Sequence, residues 1–179
     1  MNRKRFVAVT ALVLLLLPGL AAAGGVHVRF DFSSTAGTVY PNNGFTADDH
    51  AQQTGLRVDL PKPDCGVRVS DCQDLDVINT LDGFNLQPRL SIPFSGPIDV
   101  STVNSSTVFL VRLGHGPGRE VVGINQVVWD PATTTLHAES DELLDQHTSY
   151  LLVVTTGVRD AEGDRIEPRV TGTAAACCS

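Results

Sequence analysis

The chain has 179 residues, with 13 Lys and Arg against 20 Asp and Glu, a net charge of −7, 42% hydrophobic residues and four cysteines. That length holds one ordinary domain with its own apolar core. The acidic balance argues against nucleic acid and anionic lipid as partners.

The first residues have the form of an export leader. Arg3, Lys4 and Arg5 precede the apolar run from Phe6 to Leu17, and Ala21-Ala22-Ala23 supplies the small residues of a cleavage site. The run is closed by Pro18 and is shorter than the about 20 residues that a membrane-spanning helix needs. Residues 1–23 are therefore expected to leave as a signal peptide, giving a secreted or periplasmic chain that starts near Gly24 and has no membrane span. Removing three bases from 13 leaves 10 against the same 20 acids, a mature charge near −10. The cysteines suit an oxidising compartment. Cys65 and Cys72 are expected to form a disulfide that closes eight residues counted inclusively, an effect of roughly 2.5 kcal/mol on the chain-entropy estimate. Zinc is the rival reading, but no second Cys or His pair stands at ligand spacing.

Val26, Val28, Phe30 and Phe32 alternate with His27, Arg29 and Asp31, the pattern of a strand with one buried face. From Ser33 to Pro63 the chain is rich in turn formers, with Val39-Tyr40, Phe45 and Leu56 to Leu60 as apolar anchors. It reads as irregular structure draped over the domain, with one short strand near Leu56 to Leu60. Ser70 and Gln73 have the spacing of a capping box, and Leu75, Ile78 and Leu81 then recur at helical spacing until Gly83.

Beyond this helix the period returns to two. Leu86, Pro88, Leu90, Ile92 and Phe94 share one face, and the prolines favour an edge strand or a bulge. Strands are expected at Thr107 to Leu113, Val121 to Trp129, Thr134 to Glu139 and Tyr150 to Thr156, separated by turns at Gly114 to Gly118, Asp130-Pro131 and Asp160 to Asp164. The fold class is all-β, an immunoglobulin-like β-sandwich with one short helix and a long irregular N-terminal segment. The division is 1–23 leader, 24–84 strand, irregular segment and helix, 85–168 sandwich, and 169–179 a disordered or truncated tail holding Cys177 and Cys178.

Pro93-Phe94-Ser95-Gly96-Pro97-Ile98-Asp99, followed by Thr102-Val103 and by the stretch from Tyr150 through Gly157-Val158-Arg159-Asp160 to Gly163, resembles the bacterial Ig-like domain of the surface-layer (SbsA) type. The resemblance covers about residues 85–165. Upstream, Tyr40-Pro41-Asn42-Asn43 and Thr80-Leu81-Asp82-Gly83-Phe84 look like the N-terminal domain of large bacterial extracellular lipases of the virulence-factor type. In those proteins the chemistry lies in a later α/β-hydrolase domain, so the resemblance implies an accessory module whose partner is the catalytic or another domain of a larger extracellular protein. The chain ends before such a domain would begin, which also leaves a truncated reading frame as an expectation.

No Gly-x-Ser-x-Gly elbow is present, and no catalytic residue or cofactor is assigned. A serine triad built on Ser95 or Ser101 has no supporting motif. His115, His137 and His147 fit no metal-ligand spacing and are expected at the surface. Asp160, Glu162 and Asp164 around Gly163 form a weak calcium candidate, against which a plain turn explains the same residues. Trp129 either packs in the sandwich core, the favoured reading, or presents a platform for glycan or lipid. No phosphate motif follows the Gly114 to Gly118 loop, and nothing in the sequence specifies an oligomeric state. The function expected is a non-catalytic secreted interaction module; the alternative is an independent binding module for glycan, lipid or calcium.

Overall fold

A computed structural model describes residues 25–31, 33–114, 120–168 and the strand at 176–177. The leader, Phe32, His115 with the loop to Gly118, and Cys178 lie outside the described residues. The first elements are β1 (Thr46–Asp48), β2 (Leu56–Val58), the helix α1 (Val69–Ile78), β3 (Arg89–Pro93), β4 (Ile98–Asp99) and β5 (Val108–Arg112). They are followed by β6 (Val121–Val122), β7 (Ile124–Asp130), β8 (Thr135–Ser140), β9 (Tyr150–Val154), β10 (Arg159–Asp160) and β11 (Ala176–Cys177).

Two antiparallel sheets carry the domain, one in the order β3-β8-β7 and the other β11-β9-β5-β6. Two further pairs, β1-β2 and β4-β10, stand beside them. Alternation decides which side chains meet between the sheets. Leu90, Ile92 and Phe94 of the β3 run, Val108 and Leu110 of β5, and Leu136 of β8 are all 0% exposed, and Val122, Ala138, Tyr150 and Val158 join them. The expected all-β sandwich is the architecture found.

The expected edge position of the proline-bearing strand holds, because β3 pairs only with β8 inside its sheet. Its other edge meets isolated bridges, Tyr40 to Ser91 and Val28 to Phe94. The backbone N–H of Arg29 donates to the Pro93 carbonyl at 2.7 Å, and Tyr40 and Ser91 exchange both bonds at 2.9 and 2.8 Å. In the described part of the expected Val26 to Phe32 strand, up to Asp31, the pairing is thus reduced to a single bridge, although Val26, Val28 and Phe30 do pack on the core. Val39 enters the core itself. Inside the irregular segment, β1 precedes the anticipated strand at Leu56 and pairs with it, Thr46 opposite Val58.

Three other expectations are corrected. The expected single strand from Val121 to Trp129 is two strands, since β6 pairs with β5 and β7 with β8. The chain changes sheets at Gly123, where an added Cβ would sit 2.5 Å from Ser105 Oγ. The helix is not held by a capping box: its N-cap is Arg68, with no side-chain cap, and Ser70 lies inside the first turn. Nor does Leu75, Ile78 and Leu81 form a buried stripe, because Ile78 is 37% and Leu81 50% exposed. The helix stops at Ile78 rather than at Gly83, whose φ of 96° belongs to the turn beyond it. Finally, Ala176–Cys177 of the expected tail form β11, pairing with Leu151 and Tyr150.

Candidate functional site

Side chains that could carry chemistry lie in several places, each positioned by the strands, helix and turns just described. Ser91 and His137 are register partners on β3 and β8, and Ser91 Oγ lies 3.0 Å from His137 Nδ1. Beside them Arg89 pairs with Glu139 at 2.8 Å, again as register partners. Ser95 makes a second serine–histidine contact, 3.2 Å from His27 Nδ1, while its Oγ accepts the His27 backbone N–H at 3.0 Å. His27 Nδ1 also lies 3.2 Å from the Gly25 carbonyl. Among the described residues no carboxylate hydrogen-bonds either imidazole, so the third group that orients a catalytic base is missing from both pairs. Among the described residues Ser101 hydrogen-bonds no histidine; its hydroxyl donates to Asp99 Oδ1 at 2.6 Å, and this bond holds the Asp99 carboxyl below its ordinary pKa.

The Asp160 turn is built from one carboxylate. Asp160 is buried, and its Oδ1 accepts backbone N–H bonds from Glu162 at 3.1 Å and Asp164 at 2.8 Å. The Asp160 N–H donates to the Asp164 carbonyl at 2.9 Å, and Gly163 supplies a φ of 90° that an L side chain would resist. Glu162 and Asp164 point outward as exposed residues. Among the described residues no group of three or more His, Cys, Asp and Glu side chains is arranged to hold a metal ion. Trp129 is half-buried and packs against the core, its ring edge-on to Phe94 at 6.2 Å. It is neither fully enclosed nor free. The sulfurs of Cys65 and Cys72 lie at bonding distance, 2.00 Å, and Cys72 anchors α1 from its buried side.

Two polar positions have roles that the sequence did not announce. Asp82, which in the sequence stands out only within Thr80-Leu81-Asp82-Gly83-Phe84, accepts from the Gln53 N–H at 3.0 Å, the Thr54 N–H at 3.2 Å and the Thr54 hydroxyl, with His147 Nδ1 3.6 Å away. The Thr54 hydroxyl is the main reason its carboxyl stays below the ordinary range; partial burial opposes it, and His147 adds a small further lowering. The partners stand 28, 29 and 65 residues away along the chain, so no local signal reveals them. Tyr150, at the start of β9, is 2% exposed and its hydroxyl accepts the Asp145 N–H at 3.0 Å. A tyrosine at a strand start that bonds the backbone a few residues upstream is a corner-locking device of immunoglobulin-like sandwiches, and the spacing of five residues was available in the sequence.

Among the described residues no helix is long and apolar enough to cross a membrane. Residues 75–173 match a family described as "Bacterial Ig-like domain", a span of more than half the chain. No curated protein and no solved structure matches.

Proposed function

The chain belongs to the bacterial Ig-like domain family, and from that premise we propose that it is an exported, non-catalytic interaction module, the N-terminal accessory domain of a lipase-like extracellular hydrolase. The observation that carries the non-catalytic part is the origin of the Ser91–His137 contact. The two residues face each other because β3 and β8 pair in that register, and cross-strand neighbours stand close whatever their chemistry. Family members of this kind are generally structural or interaction modules, placed outside the cell or at its surface, and the Cys65–Cys72 bond suits that compartment. The lipase connection rests on Tyr40-Pro41-Asn42-Asn43 and Thr80 to Phe84. The export reading rests on the leader pattern in residues 1–23. An independent glycan, lipid or calcium module draws less support, since Trp129 leans on Phe94 and the Asp160 carboxylate is already bonded.

Purified mature chain, assayed with p-nitrophenyl esters of short and long acyl chains, is expected to show no turnover above buffer. Turnover that disappears in Ser91→Ala or Ser95→Ala overturns the non-catalytic reading. Sequencing the gene beyond the codon for Ser179 tests the lipase link separately. A downstream Gly-x-Ser-x-Gly elbow in a strand–turn–helix context is the expected result, and an unrelated gene there removes that link.

A further inference from the structure

Helix α1 and the turns on either side of it wear apolar residues on the outside. Cys72 is buried and Leu75 half-buried on the inner side, yet Val67 is 80%, Val69 55%, Val77 67% and Leu81 50% exposed. Val69, Gln73 and Val77 stand four apart on the helix, and Leu81 follows four further on in the turn whose N–H bonds the Ile78 carbonyl at 3.0 Å. A helix on a domain surface ordinarily turns polar residues to water. Here the outward row at spacing four is instead the ridge that packs into the groove of another helix.

The ridge is held rigid from behind. The disulfide ties Cys72 to the preceding loop, Lys62 pairs with Asp76, and the Asn79 side chain clamps Leu60 with two backbone bonds at 2.8 and 3.0 Å. A surface already fixed in its bound shape loses little order when a partner arrives. The segment that carries it is net acidic. Residues 48–82 hold eight Asp and three Lys or Arg, and Arg57, Lys62 and Arg68 are each paired with an acid of the same segment. Asp48, Asp49, Asp64, Asp74 and Asp82 are left without a Lys or Arg partner among the described residues, with Asp74 on the helix itself.

We propose that the ridge formed by Val69, Val77 and Leu81, with Val67 exposed in the turn just before it and Asp74 at its side, docks a basic amphipathic helix of a partner protein: an apolar seam flanked by Lys or Arg. The acids disfavour a second copy of this chain, which would bring the same charge to the contact, and an anionic bilayer for the same reason. The proposal names the partner chemistry for the interaction module argued above and rests on that reading, which the ester assay tests independently.

The test titrates the full mature chain into a fluorescent peptide of about 14 residues, roughly four helical turns, with leucines on one face and lysines beside them; a second peptide carries glutamates in place of lysines. The lysine peptide is expected to bind, more weakly as salt is added, and at least about tenfold tighter than the glutamate peptide. The triple change Val69→Ser, Val77→Ser and Leu81→Ser is expected to weaken binding about tenfold or more, as loss of the central apolar anchors does. Asp74→Lys alone is expected to weaken the lysine peptide and strengthen the glutamate one, and unchanged thermal midpoints show that the fold survives. Equal binding of the two peptides, binding that ignores these substitutions, or self-association in sedimentation that the triple change removes would each overturn the proposal.

Discussion

Asp82 shows how one carboxylate joins segments that sequence order keeps apart. Its oxygens take the Gln53 and Thr54 amides and the Thr54 hydroxyl, and His147 stands 3.6 Å off. The Asp82→Ala change therefore frees a loop, and hydrogen exchange at the Gln53 and Thr54 amides is expected to rise while the core strands stay protected. Because the folded carboxyl titrates below its unfolded counterpart, its contribution is full above about pH 4, shrinks as pH falls through that range, and is gone below the depressed folded value. The same loop amides in the unaltered protein should thus lose protection on acidification, once the intrinsic slowing of exchange in acid is divided out. Unchanged protection in both experiments would deny Asp82 this role. Tyr150 makes the parallel case, its hydroxyl bonding Asp145 two residues before the His147 that faces Asp82. Tyr150→Phe keeps the buried ring and removes the acceptor for the exposed Asp145 N–H, so a loss of about 1 kcal/mol is expected. In urea it should appear as a lower midpoint with an unchanged slope. Residues of this kind are poorly legible in sequence, since an Asp before a Gly fits a helix exit as well as a hydrogen-bond hub.

At the scale of elements, periodicity is informative where one face is buried and silent where it is not. Leu90, Ile92 and Phe94 alternate with Arg89, Ser91 and Pro93, so β3 and its buried face can be read directly. The β6–β7 division cannot, because Val121, Val122 and Ile124 are apolar on both sides of the change of sheet, and the polar pair Asn125-Gln126 falls inside β7 rather than at that change. What separates the two strands is Gly123; a bulge between Asn125 and Val128, where Gln126 takes a φ of 49°, then bends β7 itself. At Gly123 a methyl group would crowd Ser105 Oγ, which already accepts the Ile124 N–H at 3.0 Å and donates to the Ile124 carbonyl at 3.1 Å. Gly123→Ala is therefore expected to cost about 1–3 kcal/mol by overpacking, measured by denaturant unfolding; a neutral result would mean that the crossover tolerates a side chain. Helix α1 fails the opposite way. Its periodic Leu75, Ile78 and Leu81 promised a buried stripe, yet the buried anchor is Cys72. Replacing both Cys65 and Cys72 by Ser is expected to lower stability by about 2–3 kcal/mol and to reduce helical circular dichroism. Full retention of both would show that the polar clamps at Asn79 and Asp76 suffice.

Across the whole molecule, the family match begins at residue 75 and the sandwich strands at Arg89, but the core does not respect either point. Val39 is buried among Leu90, Ile92 and Phe94, and Val26, Val28 and Phe30 press on the same cluster. The N-terminal segment also occupies the outer edge of β3 through the Tyr40–Ser91 and Val28–Phe94 bridges, which leaves that edge less open to pairing with another chain. At its far end the Glu167 N–H donates to the Val26 carbonyl at 2.7 Å, and the Gly25 N–H donates to Glu167 Oε1 at 2.8 Å, closing the first and last described loops on each other. A chain beginning at Phe84 would uncover Leu90, Ile92 and Phe94 and expose the β3 edge at the same time. Compared with residues 24–179, it is expected to unfold with a broader, less cooperative transition, to bind a hydrophobic dye, and to self-associate on sedimentation. If it instead melts sharply as a monomer, the segment from Val26 to Phe45 is a covering that the sandwich can shed. The comparison therefore separates two accounts of the same turn-rich sequence. In one the segment decorates a finished domain; in the other, which the burial of Val39 favours, the segment completes the core and must be kept in any working version of this module.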